Sequence, residues 1–316
     1  MARKNENTEH IEGRLYSHSL EIKTVKNQQS ANFGKDYIGG EIDIATDEAG
    51  LNVITIRFSY VTPQTAQGKE NSTYKALKKI IDGAPTWLDK GKDEATKISV
   101  NTSLGLNEWY DRENKLVSTK VHEGGFVTIL ENEALKPEEL RNTFKVDMLI
   151  HTVQEVEPAN ETDAPFARVK GGVFNFKNEY LPVEFKVVNP AGIDHFLGLD
   201  ASKANPIYTK LWGRIICETI VTETVIQSAF GDPAVTRTAK KTKEWVITGV
   251  ATEPFEFGEE GVLTEKELAE ILSNREIHVA NIKKQQDEYK ASKTAASAPQ
   301  VAAPAAPTIN RSGFSF

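Results

Sequence analysis

At 316 residues, with 39% apolar and 26% charged side chains, the chain is long enough for two ordinary domains, and no apolar run approaches the ~20 residues of a membrane span. A single cysteine, Cys217, excludes an intrachain disulfide and the usual structural zinc sites, and the start MARKNENTEHIEGR lacks the apolar stretch of a secretory signal, so a reducing cytoplasm is the expected location. The formal charge of −7 argues against a generic basic nucleic-acid binder, but residues 253–276 hold eight glutamates against Lys266 and Arg275, which leaves an almost neutral body with room for basic faces.

Residues 1–10 read as a flexible lead-in, followed by a long first strand over 13–25 (GRLYSHSLEIKTV). In the stretch KDYIGGEIDIATDEAGLNVITIRFSYV, Ile38, Ile42 and Ile44 point one way and Glu41 and Asp43 the other, the period-two pattern of a strand with one buried face. The return strand repeats it, with Ile54, Ile56, Phe58 and Tyr60 on one face and Thr55, Arg57 and Ser59 on the other; DEAGLN supplies the turn, and Gly39–Gly40 marks a bulge. A helix is predicted over 71–83, capped by Asn71 or Ser72 and ended by Gly83. Strands follow over 96–104, 107–110 and 116–130, the last two joined by DRENK.

The second half repeats that order without recognisable sequence identity. Strands are predicted over 144–156, 166–176 and 181–188, a short helix over 191–199, and strands over 210–225 and 242–252 separated by a basic loop. Three strands, a helix, then a closing hairpin describe a five-stranded Greek-key barrel, the OB-fold, here in tandem over 11–142 and 143–257. The fold class expected is therefore mainly β, two OB-like barrels; a β-sandwich or jelly roll is the alternative that the same strand spacing permits. Thr264 to Glu267 form a capping box opening a helix of about twenty-five residues, with Leu268, Ile271, Leu272, Val279 and Ile282 as its apolar stripe. Together with the acidic stretch before it, this helix fills 258–290; the Ala/Pro-rich residues 291–316 cannot bury enough surface to fold and read as a disordered tail.

No phosphate-binding loop, dinucleotide motif or metal-ligand spacing occurs, and the six histidines are scattered; no enzyme activity, cofactor or metal is expected. What recurs is aromatic residues beside cations. The first half has Tyr16, Lys23, Lys26, Phe33, Lys35 and Arg57, then Trp109, Tyr110, Arg112 and Lys115 around one hairpin. The second has Arg168, Lys170 and Lys177 beside Phe174 and Phe176, Trp212 with Arg214, and the loop RTAKKTK (Arg237, Lys240, Lys241, Lys243) running into Trp245. Single-strand binding needs such a set, because cations track phosphates and aromatic faces stack unpaired bases whatever their identity. OB-folds present these groups on strands two and three and on the one–two and four–five loops, where Lys23–Lys35 and RTAKKTK fall.

The patterns IEGRLYSHSLEIKTVKN, DYIGGEIDIATDE, NVITIRFSYV and EWVITGVATEPFEFGEEGVLTEKEL resemble phage-encoded proteins, single-stranded-DNA-binding proteins among them, over 11–272. The resemblance implies non-catalytic, sequence-independent binding of single-stranded DNA in phage replication or recombination, in the bacterial host cytoplasm, and carries no residue-level site. The tail resembles the disordered, phenylalanine-ended tails with which bacterial single-stranded-DNA-binding proteins recruit partner enzymes, which makes Phe314 and Phe316 candidate partner-binding residues; Arg311 departs from that pattern, where carboxylates are expected. Partners are thus single-stranded DNA and replication or recombination proteins, with homo-oligomerisation compatible and no membrane contact. A structural or virion-assembly protein, self-associating through its β-domains, is the alternative from another class.

Overall fold

The computed structural model of the chain describes residues 5–157, 164–217, 219–226, 230 and 234–297. The chain is mainly β. Its first half contains β1 (Asn7–His18), β2 (Glu21–Thr24), β3 (Asp36–Ala45), β4 (Val53–Val61), α1 (Ser72–Ile81), the single turn α2 (Trp87–Lys90), β5 (Lys97–Tyr110) and β6 (Leu116–Ile129). β1 pairs antiparallel with β3, β3 with β4, β5 with β6 and β5 with β1; the ring closes where β4 runs parallel to β6 at Ile56–His122 and Arg57–Glu123. That is the OB circuit, with α1 between its third and fourth strands.

The second half runs through β7 (Asn142–Val156), β8 (Phe166–Phe174), β9 (Tyr180–Val187), α3 (Pro190–Leu197), β10 (Ile207–Ile216), β11 (Thr219–Ile226), β12 (Ala234–Lys241) and β13 (Glu244–Val250). β7–β8–β9, β13–β10 and β10–β7 pair antiparallel, and β9 closes parallel on β13 at Lys186–Val246. The same circuit is therefore drawn twice. β11 and β12 form a separate two-stranded hairpin inserted between its fourth and fifth strands.

Local chemistry explains the elements. Ile38, Ile42, Ile44, Ile54, Ile56 and Phe58 are buried as the alternation predicts, and the register slips between Ile38 and Gly40 at the bulge. Gly40 has φ +136°, and a Cβ there would stand 2.3 Å from the Ser19 carbonyl oxygen, so only glycine fits. Asn71 caps α1 by accepting from the amides of Thr73 and Tyr74. Tyr60 departs from the expectation: it lies on the surface, its ring 4.6 Å from that of Tyr37.

Several expected boundaries move. The 13–25 strand is two, because Ser19 and Leu20 turn the chain from β1 to the edge strand β2, and β1 itself starts at Asn7. The strands expected at 96–104 and 107–110 are one, β5, since β6 pairs with it continuously across Gly105 to Tyr110. The strand expected at 210–225 is broken at Cys217 into β10 and β11, and the basic "loop" is largely β12.

The two circuits are fused. β1 pairs with β5 on one side and β7 on the other, so Glu9, His10 and Ile11 face both Asn101–Thr102 or Val100 and the 142–144 stretch. Leu15 and Ile56 share one apolar core with Phe144, Phe185 and Trp245. Buried Glu9 ties the junction: its Oε2 lies 2.7 Å from His122 Nδ1 on β6, and its Oε1 accepts from Trp245 Nε1 on β13 at 2.8 Å. His122 stacks on the Trp245 ring at 5.0 Å. A second tie joins the β3–β4 turn to β10, where the Cys217 amide donates to Asn52 Oδ1 at 2.7 Å.

The helix α4 (Glu265–Ser297) starts at the expected box, the Thr264 amide donating to Glu267 and the Glu267 amide to Thr264 Oγ1. It extends to Ser297, beyond the expected end near 290. Leu268 is buried with Phe174, Tyr180 and Tyr208 of the second circuit, whereas Arg275 makes a two-point ion pair with Glu108 of β5 and Gln286 bonds the Tyr110 backbone. α4 thus straps both circuits. Residues 298–316, including Phe314 and Phe316, lie outside the described residues.

Replacing Glu9 with alanine strands His122 Nδ1 and Trp245 Nε1 in the interior, and breaking a buried polar tie of this kind costs about 3–5 kcal/mol. Urea unfolding of Glu9→Ala should show that loss; an unchanged midpoint would contradict the role assigned to Glu9.

Candidate functional site

A groove of about 1830 Å³ runs across the junction of the two circuits. Its lining comes from β1, β4, β5 and β6 of the first, from the β6–β7 connection, from β7, β10, β13, the β8–β9 turn and Leu181 of β9 in the second, and from His278 of α4. The β1–β7 pairing makes these strands one hydrogen-bonded surface, so the groove has a continuous floor.

Aromatic rings stand along it, and each is placed by a local device. Gly124 and Gly125 (φ +61° and +112°) sit at the β5–β6 register shift between Asn101 and Ser103. A Cβ on Gly125 would lie 2.0 Å from the Asn101 carbonyl oxygen. The bulge changes the strand's phase, so His122 and Val127 both point inward and Phe126 is pushed out, 72% exposed. On the other side, β10 slips register between Trp212 and Gly213, and the Trp212 indole lies over Gly249, where a Cβ would meet Nε1 at 2.3 Å. Phe176, 74% exposed, sits in the β8–β9 turn that Asn175 closes by accepting from the amides of Lys177 and Glu179. The Lys177 ammonium lies 5.6 Å from its ring centroid. Tyr60 completes the set and also lines an adjoining cleft of about 690 Å³ with Tyr37, Lys23 and Lys26.

Cations accompany the rings. Arg57, Lys136, Lys145, Lys177 and Arg214 line the groove. The Arg214 guanidinium is aimed by Asn142, which accepts from Nε and Nη2 at 3.1 Å each. Glutamates also line it, but Glu108 is engaged by Arg275: burial would raise its carboxyl, and the hydrogen bond and charge of Arg275 outweigh this and hold it below its ordinary range. None of the eight glutamates of 253–276 lines the groove.

Of the residues singled out by sequence, Arg57, Lys177, Trp212 and Arg214 meet in the groove, and Lys23 and Lys26 in the adjoining cleft. Phe33 and Lys35 are exposed on the β2–β3 connection, and Arg112 and Lys115 at the β5–β6 tip; none of these, nor half-exposed Trp109, lines the groove. Tyr16 packs on Trp87 at 6.0 Å, and Tyr110 is held by Gln286 with Lys283 over its ring. Arg237, Lys240 and Lys241 are on β12, whose side chains lie outside the described residues. Phe126, Lys136 and Lys145 escape the sequence reading; the Gly-Gly pair before Phe126 is the signal that points to the first.

Arg168, Lys170 and Lys243 lie elsewhere, on the outer face of β8, β9 and the start of β13. Arg168 grips Glu244 with two bonds of 2.8 and 2.9 Å and reaches Glu184 at 3.3 Å; Lys170 is 3.4 Å from Glu184. Trp245 is fully buried beneath them, with the Lys120 and Lys243 ammonium groups 4.6 and 5.0 Å from its ring. Lys120 donates to the Glu184 carbonyl at 2.7 Å. Burial, partly offset by Glu244, pushes its ammonium down to about 8.

With this geometry in hand, the family becomes legible: the YorF model matches residues 6–286, spanning both circuits and most of α4. The chain belongs to the YorF family. Among solved structures, this YorF chain is similar to a deletion mutant of the single-stranded DNA binding protein from Thermus aquaticus, at 12% identity, over 81% of this chain and 98% of that one, with a TM-score of 0.47. It is also similar to a replication protein A heterotrimer bound to ssDNA, at 10% identity over 85% and 70% of the chains, with a TM-score of 0.23. No curated protein matches the YorF chain. Among the described residues no helix is long and apolar enough to cross a membrane, and no group of three His, Cys, Asp or Glu could hold a metal ion.

Lys120 gives a pH signature. Its folded value near 8 lies below the ordinary 10.5, so between those limits the unfolded chain binds the proton and the folded chain does not. Stability therefore rises with pH across that window. Unfolding of the wild type and of Lys120→Met should diverge between pH 8 and 10.5, the wild type gaining on the order of 3 kcal/mol relative to the variant. Parallel curves would contradict the assignment.

Proposed function

We propose that the protein binds single-stranded DNA in the groove, largely without sequence preference and without catalysis. The observation that carries this reading is the line of exposed rings, Tyr60, Phe126, Phe176 and Trp212, interleaved with Arg57, Lys145, Lys177 and Arg214 along one groove. Stacking accepts any base, since every base has a π-face, and cations at intervals suit a phosphate backbone. The groove's mixed charge implies that rings contribute more of the affinity here than a purely basic channel would allow.

In the same proposal the tandem barrels of 11–142 and 143–257 act as two units sharing one strand path. Lys23, Lys26, Phe33 and Lys35 extend that path from the groove, and Arg237, Lys240 and Lys241 guard it from the inserted hairpin. The sequence resemblance supports a place in phage DNA replication or recombination in the host cytoplasm, with Phe314 and Phe316 recruiting partner proteins.

A labelled oligo-dT of roughly thirty bases, titrated beside duplex of equal length at two salt concentrations, tests the reading. Binding to the single strand alone, weakened by salt, is expected. Phe126→Ala and Phe176→Ala, both at surface positions, should each cost about 1–3 kcal/mol, roughly 5- to 150-fold in affinity. Equal binding of duplex, or no effect of either substitution, would overturn it. Absence of binding together with large ordered assemblies would favour an assembly protein.

A further inference from the structure

The backbone hydrogen bonds of β5 leave two residues over. In an antiparallel ladder the N–H and C=O of alternate residues point to opposite edges, and those of Gly105, Asn107 and Trp109 face β6, opposite Val121, Thr119 and Val117. The even-numbered residues face the other edge. β1 takes up Thr96, Ile98, Val100 and Thr102 there, the Leu15 amide donating to the Thr96 carbonyl at 2.8 Å. Its pairing with β5 goes no further than Glu9–Thr102, and beyond that point two side chains do what a strand would do. The Asn7 amide group donates to the Leu104 carbonyl at 2.9 Å and accepts from the Leu104 N–H at 3.0 Å. Gln286 of α4 treats Tyr110 in the same way, accepting from its N–H at 2.8 Å and donating to its carbonyl. Between these two caps, the N–H and C=O of Leu106 and of Glu108 take no partner among the described residues.

Both residues line the groove. Their side chains are engaged elsewhere, Leu106 against the shared apolar core and the Glu108 carboxylate on Arg275, so Glu108 is not free to turn back on its own strand. Exposed strand edges are ordinarily shortened, charged, bulged or covered. This one is covered at both ends and open for two residues where it meets the groove. An added peptide strand would collide with Asn7 at one end and Gln286 at the other. A flat group with one donor beside one acceptor fits a single residue, as the Asn7 and Gln286 amides themselves show. The Watson–Crick edge of an unpaired base has that pattern: an amino N–H beside a ring nitrogen in adenine and cytosine, a ring N–H beside a carbonyl in thymine and guanine. At about 3.4 Å per strand residue, Leu106 and Glu108 stand about 7 Å apart, roughly two steps of a stacked strand.

We propose that the open edge of β5 at Leu106 and Glu108 hydrogen-bonds the Watson–Crick edges of unpaired bases, and that the groove tells single strand from duplex by this contact. The inference rests on the single-strand reading of the groove for its ligand. All four bases carry a donor beside an acceptor, so the contact adds no sequence preference. In a duplex the same edge is occupied by the partner base, so the contact is lost.

The experiment titrates the full-length protein with an oligo-dT of about ten bases, within the span one or two barrels cover, and with the same oligonucleotide built on a difluorotoluene nucleoside. That nucleoside has the shape of thymine and stacks, but lacks its donor and acceptors. The oligo-dT should bind at least about tenfold more tightly, since up to four hydrogen bonds are at stake. Leu106→Pro removes one N–H from the open edge, a position where proline is tolerated because that N–H serves no ladder bond. It should weaken oligo-dT by about threefold or more and leave the difluorotoluene oligonucleotide unchanged. The wild-type comparison stands by itself if Leu106→Pro does not fold. Equal wild-type affinity for the two oligonucleotides overturns the base-reading edge and leaves the groove reading standing. No binding of either overturns both. Equal weakening of both by folded Leu106→Pro overturns the assignment of the contact to this edge.

Discussion

Everything distinctive about this structure follows from the start of β1 pairing with β7 of the second circuit. A five-stranded barrel ordinarily uses both edges of its first strand for its own closure. Here the start of β1 reaches past that closure and pairs with β7 over Asn7–Ile11. The extension is what fuses two copies of one circuit, and it brings Glu9 under the junction, where His122 from one barrel and Trp245 from the other occupy its two oxygens. A carboxylate with both oxygens used is tolerable in the interior; with either partner removed it is not. The junction is therefore specified chemically as well as by shape.

The groove is the outside of that junction. Because the floor is one sheet, the rings on it keep fixed spacing, and the β5–β6 register shift decides that Phe126 faces out. In the first circuit a glycine pair admits a close backbone approach, β6 gains a residue and Phe126 is turned to solvent; in the second the extra residue lies on β13, and Trp212 stands on the regular outward face of β10 over Gly249. α4 reinforces the arrangement from outside, burying Leu268 against the second circuit and pairing Arg275 with Glu108 of the first. In the proposed binding of single-stranded DNA, a rigid floor favours stacking, since prepositioned rings lose less freedom when bases bind.

The element order was legible because it is written in local signals: period-two alternation, the Asn71 cap, the DEAGLN turn and the Thr264 box. The isoleucines at 38, 42, 44, 54 and 56 are all buried where the alternation put them. Long-range pairing was not legible. Nothing near Asn7–His10 announces that these polar residues are a shared strand, since their partners lie at 101–102 and 143–146. The same limit hid Trp245, which reads as an aromatic beside a basic stretch and is a buried anchor because its partner Glu9 is 236 positions away. Phe126 was hidden by a phase error: counting by twos from buried His122 puts it inward, and only the bulge at Gly124–Gly125 reverses that. Arg57, Lys177, Trp212 and Arg214 were found because they sit on regular strand faces or in a clear turn.

The central claim is that rings from both barrels contact one strand in the groove. The most direct measurement is photo-crosslinking of an oligo-dT carrying 5-iodouracil, with the adducts mapped by mass spectrometry on the full-length protein. The account predicts adducts on Tyr60 or Phe126 from the first barrel and on Phe176 or Trp212 from the second. Efficient crosslinking with none of these four modified would contradict it.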